Sequence, residues 1–469
     1  MRTNPTIYTT LLVIVLGGSR LLAQSPSAGF PDAPMTQSFL VASAQAGSIT
    51  NSAPPAGAEG TPTPLSRQEA EKLALANNPR IHISELIARV QHQAVRERRA
   101  DELPNLNGNL TAVEANDGSR ISSGSLTASR LLEHAGMGVQ LSQLITDFGR
   151  TRNLVASAKL QEKARLADAQ ASRLDIVLAT DQVFFAVSEA QETVKVAAQT
   201  VNARQTLTDQ VSALTKAKLK SDLDESFAQV NLSQAKLLQL DAQNNLDAAK
   251  AAFSAVLGYD KEMDFQLVDD AGPVAVLPPD SNVLIAQAIQ NRPDLQSLKY
   301  SEQAAQKFSK AQHEQLLPTI SALGAVGGTP VGSSQYFTTN WYGAVGGNVS
   351  IPIFNGFRFT AQASEAALQS KAASEQTRAL RDQLVRDVRT AWLNANTAMQ
   401  RVTVTAELLK QANTALDLAK TRYDLGLSSI VELSQAELQQ TEAAIGNANA
   451  RSQYNFAIST INFQTGAQP

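Results

Sequence analysis

The sequence predicts a mainly α chain with β-hairpins, built twice from the same parts: a helix, a β-hairpin and a long coiled-coil hairpin of helices. Three observations carry that expectation. First, one offset of 208 residues lays the second half on the first, from Leu141 on Val349 to Gly258 on Gly466. Identical pairs along the way include Gln161/Gln369, Lys163/Lys371, Arg173/Arg381, Val177/Val385, Asp209/Asp417, Ser221/Ser429 and Ala228/Ala436. A gapless match of that length is the mark of a duplicated structural unit. Second, residues 150–257 hold neither Gly nor Pro, and 358–465 hold no Pro and only Gly426 and Gly446, so helix breakers are almost absent from both tracts. Third, a Gly/Ser/Thr-rich segment with period-two alternation precedes each tract.

Taken in chain order, Arg2 is followed by an apolar run over Leu11–Leu16, and Leu21-Leu22-Ala23 offers a small residue before Gln24. That is the layout of a secretory signal peptide, residues 1–23. Residues 24–65 are rich in Ala, Ser, Pro, Gly and Thr, and nine of the 18 prolines fall in residues 1–80. Such a segment buries too little apolar surface to offset its ordering entropy and is expected to be a flexible, low-complexity extension.

Repeat one is expected over 66–280 and repeat two over 281–469. Each opens with a helix, at 66–102 and 281–316, that stops before Leu103-Pro104 or Leu317-Pro318. Asn77-Asn78-Pro79 and Asn291-Arg292-Pro293 lie near the two starts at an offset of 214, so the change to 208 falls between Pro104 and Leu141. The β-hairpins are expected at 105–147 and 319–355. The helical hairpins follow at 148–257, with a linker to 280, and at 356–466. A helix of 65–70 residues would be roughly 100 Å long. Leu409, Ala412, Leu416, Ala419 and Tyr423 step by 3 and 4, as do Leu207, Val211 and Leu214, which is the seam of a coiled coil. The turn-backs are read at Tyr423–Ser429, with its Gly and two Ser, and at Lys218–Glu225, where Ser or Asp can cap the returning helix.

Composition removes several functions. Lys+Arg 40 against Asp+Glu 43 leaves net −3, without the positive field a nucleic-acid binder needs. The absence of cysteine excludes thiolate zinc sites, iron–sulfur clusters, disulfides and a lipid-anchored N-terminal Cys. The four histidines (His82, His92, His134, His313) lack metal-ligand spacing. Neither a phosphate-cradling Gly loop nor a nucleophilic triad is present, so no enzyme, cofactor or catalytic residue is expected. Arg96–Glu102 is a mixed-sign run expected at an exposed helix end, and Lys216, Lys218 and Lys220 read as a solvated face. Four strands cannot close a membrane barrel, because single-chain barrels start at eight. If the strands lie in lipid, where every backbone polar group needs a partner, the chain must be an oligomer.

These residues resemble the TolC-type outer-membrane efflux proteins, the outer membrane factors, over about 66–466. The Asn-Asn-Pro and Asn-Arg-Pro openings and the two Leu-Pro steps match the family's repeat starts. Val349-Ser350-Ile351-Pro352-Ile353-Phe354-Asn355-Gly356-Phe357-Arg358 is similar to its exit from barrel to long helix. Copy one departs there, with Leu144 for Pro, Thr146 for Phe and Phe148 for the first Gly. Arg422-Tyr423-x-x-Gly426 followed by Ser434-Gln435-Ala436-Glu437 resembles the periplasmic turn.

The resemblance implies a homotrimer whose twelve strands form one barrel in the outer membrane and whose helices form a tunnel across the periplasm. It implies a periplasmic adaptor and an inner-membrane pump as partners, outer-membrane lipid around the barrel, and a passive conduit for efflux or type I secretion. Carried over residue by residue, the gate and pore-lining positions are Asp224 and Glu432, with Asp222, Glu225 and Gln435 beside them. Gln435 stands where some members have a second aspartate, and Ser428 where they have a gate arginine. Tyr423, Gly426 and Ser428 belong to the periplasmic turn. Pro352, Phe354, Gly356, Arg358, Gly149 and Arg150 belong to the barrel-to-helix junctions. The rival expectation is a periplasmic coiled-coil scaffold whose Gly/Ser-rich hairpins are soluble loops.

Overall fold

The structure, a computed structural model, describes residues 63–113, 120–121, 129–130, 134–261, 265–268, 277–331 and 341–467. The expected signal peptide and the extension up to residue 62 lie outside the described residues. Those described belong to the folded unit Thr61–Pro469.

Thr63–Leu65, expected in the flexible extension, form strand β1. The next segment is two helices, α1 (Arg67–Asn77) and α2 (Pro79–Ala100), where the sequence suggests one. Pro79 decides the break. It disfavours helix at Asn78 but fits the first turn of α2, where its missing N–H has no partner to lose. The Asn78 side chain then caps α2 by accepting from the Arg80 N–H at 3.0 Å. Copy two divides in the same way, into helices Ser281–Asn291 and Pro293–Glu314 on either side of Arg292.

The remaining elements follow in order. After α2 come β2 (Asn105–Val113), β3 (Arg120–Ile121), β4 (Ser129–Arg130), β5 (His134–Thr146), α3 (Arg150–Lys216), α4 (Asp222–Val256) and β6 (Phe265–Leu267). Copy two supplies α5 (Ser281–Asn291), α6 (Pro293–Glu314), β7 (Thr319–Val331), β8 (Trp341–Ser350), α7 (Arg358–Asp424) and α8 (Ile430–Thr465). β1 pairs in parallel with β6, and β3 pairs antiparallel with β4 in a two-residue ladder.

In each copy one 67-residue helix packs against two shorter ones: α3 against α4 and α2, α7 against α8 and α6. The shorter helices meet end to end. At the end of α4, Gly258 (φ 82°) lies so close to Asn77 that a Cβ would sit 2.9 Å from its carbonyl oxygen. Its repeat equivalent Gly466 (φ 71°) is held equally close to Asn291. Only glycine combines that backbone angle with that approach. Polar bonds tie both joints: Asn78 Nδ2 donates to Val256 O at 3.1 Å, and Arg292 Nη1 to Phe463 O at 3.0 Å.

The largest apolar core lies beside the first joint. Phe184, Phe253 and Phe265 stack edge to face at 6.2 and 5.6 Å, with Ile81, Val187, Leu246 and Leu257 around them. A smaller copy, around Leu284, Ala288, Val388, Ala395 and Ile461, occupies the second joint. Elsewhere the seams are lined largely by alanine, which lets the long helices approach closely.

The four main strands form one antiparallel sheet in the order β2-β5-β7-β8, leaving β2 and β8 as free edges. Its register sorts the side chains by face. Leu106, Leu110, Met137, Val139, Leu141, Val326, Trp341, Val345 and Val349 share one face, and all are exposed, Val345 by 94%. The opposite face is dominated by Asn105, Asn107, Asn109, Thr111, Gln140, Ser142, Ser321, Asn348 and Ser350. On that polar face the Tyr342 ring lies across two glycines. A Cβ on Gly327 or Gly138 would stand 2.6 or 2.8 Å from its hydroxyl.

Candidate functional site at the helical turns

Two helical turns define the site, and they meet. The seam residues Leu207 and Val211 of α3, Ala228 of α4, Ala419 and Tyr423 of α7, and Ile430, Leu433 and Ala436 of α8 form one buried cluster. The turn of copy one is thereby packed against the turn of copy two.

Repeat-equivalent residues do different work there. At the start of α4, Ser221 accepts from the Asp224 N–H, and the Asp224 carboxylate accepts from the Ser221 hydroxyl at 2.9 Å and from its N–H at 3.3 Å. Asp224 thus closes a capping box. Ser429 caps α8 by accepting from the Glu432 N–H, but the Glu432 carboxylate turns away and pairs with Arg422 at 3.3 Å. Asp222 and Gln435 are exposed, and Glu225 is half-buried. The Tyr423 ring is capped by the Lys220 ammonium, 4.4 Å from the centroid. Its hydroxyl is buried without a hydrogen-bond partner among the described residues, as is the Ser428 hydroxyl. Burial, and then the Asp224 and Asp424 carboxylates, push the Tyr423 phenol up. Gly426 takes a left-handed angle (φ 73°), and its repeat equivalent Lys218 is forced into the same one (φ 61°).

The sheet-to-helix junctions form a second, distant set. Each passes through two successive left-handed residues, Phe148-Gly149 in copy one and Gly356-Phe357 in copy two. Asp147 holds the first, accepting from the Thr151 hydroxyl at 2.6 Å and the Thr151 N–H at 2.7 Å. In the second, Phe354 is 75% exposed and packs edge to face on Phe357 at 5.5 Å. Pro352 is half-buried, Arg150 half-buried, and Arg358 exposed over the Phe359 ring at 5.3 Å.

Sequence reasoning misses a buried polar cluster one step above the turns. The Arg204 side chain of α3, 7% exposed, faces Glu437 of α8 at 3.7 Å and donates to Asn231 O of α4 at 2.8 Å. Asn231 donates to Ser434 at 2.7 Å, and the Thr200 and Thr441 hydroxyls lie 3.3 Å apart. Burial raises the Glu437 pKa, against the opposing pull of Arg204 and Lys420. This cluster ties copy one's hairpin to copy two's.

A sequence model of the outer membrane efflux protein family matches residues 71–259 and 284–467, the two repeats in turn. The chain belongs to the outer membrane efflux protein family. It is similar to the outer membrane protein TolC of Salmonella enteritidis, 24% identical over 409 residues, covering 83% of this chain and 79% of TolC. Among solved structures, CusC superimposes with a TM-score of 0.75 at 19% identity, over 86% of this chain and 92% of that one. The outer membrane protein VceC of Vibrio cholerae does so at 0.72 and 17%, over 85% and 96%. This efflux protein is therefore a channel protein of the outer membrane, and the scaffold alternative falls.

Proposed function

We propose that three copies of this efflux protein close their sheets into one twelve-stranded barrel in the outer membrane and join their helices into a tunnel below it. The tunnel is the passive conduit of a tripartite efflux system, with a periplasmic adaptor and an inner-membrane pump supplying specificity and energy. The observation that carries this reading is the sheet. It has a predominantly apolar face exposed on the single chain, with Gln143 at its helix-side end, and two free edges that run antiparallel to one another.

Strands of 9, 13, 13 and 10 residues suit the 9–11 residues that a tilted strand needs to cross a bilayer. Closing edge β2 of one copy on edge β8 of the next satisfies every backbone group, as lipid demands. The apolar face then meets hydrocarbon and the uncharged polar face lines the lumen. At the opposite end, Asp224 and Glu432, with Asp222 and Glu225, supply a ring of carboxylates that favours cations. No step is catalytic.

Electron microscopy of the detergent-extracted chain tests the reading. Three-fold tubes well over ~100 Å long are expected, from the span of the 67-residue helices. Particles that need no detergent, or that lack three-fold symmetry, would overturn it.

A further inference from the structure

Among the cavities outside both sets of residues, one is mostly cationic. Between the last turns of α2 and the early part of α3 runs a cleft of about 550 Å³ whose polar lining is mostly cationic: Arg96, Arg99, Lys159 and Lys163, with His92 and Glu162. Its single carboxylate is engaged, because Glu162 holds the His92 ring at 2.8 Å. Arg96 donates only to the neutral Gln93 amide at 3.1 Å, and the Lys163 ammonium has the Tyr300 ring 5.8 Å away. Arg99 and Lys159 have no carboxylate partner among the described residues. Glu97 and Asp101, which make the α2 terminus look electrically mixed in sequence, are not part of the lining. Helical spacing separates the signs: His92, Val95, Arg96 and Arg99 share one stripe of α2, and Lys159, Glu162, Lys163 and Leu166 one stripe of α3.

The cleft's height decides its ligand. Arg99 is one residue from the end of α2 and six from the first residue of β2. Lys159 is nine residues into α3, roughly 14 Å along it. If the apolar sheet face spans hydrocarbon, the proposed function on which this step rests, the Arg99 end of the cleft borders the headgroup layer of the helix-side leaflet and the Lys159 end lies below it. That layer is about 5–8 Å deep. Leu166, exposed at the rim, and buried Val95 add apolar surface beside the charges.

We propose that this cleft binds the phosphodiester of an anionic phospholipid. Arg96 and Arg99 supply forked donors, which match phosphate oxygens in pairs, and Lys159 and Lys163 supply point charges. A lipid tethered in the bilayer at that height has a far higher local concentration than a free anion.

Native mass spectrometry of the full chain released from detergent tests this, with phosphatidylglycerol and phosphatidylethanolamine as probes. Wild type should retain phosphatidylglycerol preferentially. Arg96→Gln with Lys159→Gln should weaken retention roughly fivefold per cation removed, the effect of one charge near an anionic surface. Arg96→Lys with Arg99→Lys keeps the charge and should lose only part of it, which separates recognition from misfolding. Equal retention by wild type and the Gln variant would overturn the proposal. So would inorganic phosphate that excludes phosphatidylglycerol, since it assigns the cleft to a free anion. Failure of the membrane reading itself is seen separately, as a chain that leaves the membrane fraction without detergent.

Discussion

Glu437 shows how much one side chain can depend on its surroundings. Its carboxylate is buried between two helical hairpins, and that burial outweighs the attraction of Arg204, so its folded pKa stands above the unfolded one. An acid with a raised pKa contributes stability that is present when it is protonated and is lost as pH climbs from the unfolded value, about 4.3, through the folded one. Glu437→Gln, which mimics the protonated form, is therefore expected to melt with wild type near pH 4 and above it at pH 8; a constant difference across that range would refute the assignment. Arg204→Met should do the opposite and destabilise by about 3 kcal/mol at neutral pH, since it leaves a buried carboxylate without its cation. Denaturant unfolding checks the size. The pair escapes repeat comparison because its equivalents are Ala412 and Gln229, which are neutral. One signal was available: Thr200, Arg204, Leu207 and Val211 step by 4, 3 and 4, so a charged residue sits on the apolar stripe.

The elements most legible in the sequence are those with one dominant local cause. The long helices follow from tracts without Gly or Pro, and Ser221 and Ser429 announce the returning helices that they cap. The short helices are less legible. Pro79 and Pro293 divide each of them, and a helical pattern that continues across a proline hides the break, because proline is tolerated in a first turn. Strand β1 is illegible locally: Thr63–Leu65 look like the end of a low-complexity segment and become a strand only through Phe265–Leu267, some 200 residues on. The two turns also differ in strain. Gly426 is free to be left-handed, whereas Lys218 holds the same conformation at a cost of roughly 1 kcal/mol. Lys218→Gly should therefore raise the stability of the copy-one turn by about that amount, visible as slower amide exchange in residues 212–226. Unchanged exchange would mean that the turn is held by its tertiary packing alone. Ser429→Ala should loosen the copy-two turn by about 1 kcal/mol through the lost cap, by the same readout.

At the scale of the whole molecule, two ends of the chain have opposite chemistry. The sheet end is mostly apolar on one face and uncharged on the other, and the turn end gathers carboxylates and a Tyr423 hydroxyl without a hydrogen-bond partner among the described residues. Asp224→Asn combined with Glu432→Gln keeps both helix starts able to form and removes two charges per chain. In single-channel recordings it is expected to reduce cation preference, and unchanged reversal potentials would show that these residues do not set selectivity. The duplication made the α part of this arrangement readable from sequence. Which strands form the free edges was not legible, because the order β2-β5-β7-β8 depends on the pairing of β5 with β7, segments far apart in the sequence. Closure can be tested directly, since the chain has no native cysteine. Leu106→Cys on β2 can be combined in turn with Gly347→Cys, Val349→Cys or Ile351→Cys at the β8 edge. Within one chain these edges are three strand spacings apart, roughly 14 Å, too far for a disulfide. Oxidation in membranes is expected to give covalent trimers that go no further for at least one pair; monomers alone, or ladders running past the trimer, would contradict a closed three-chain barrel.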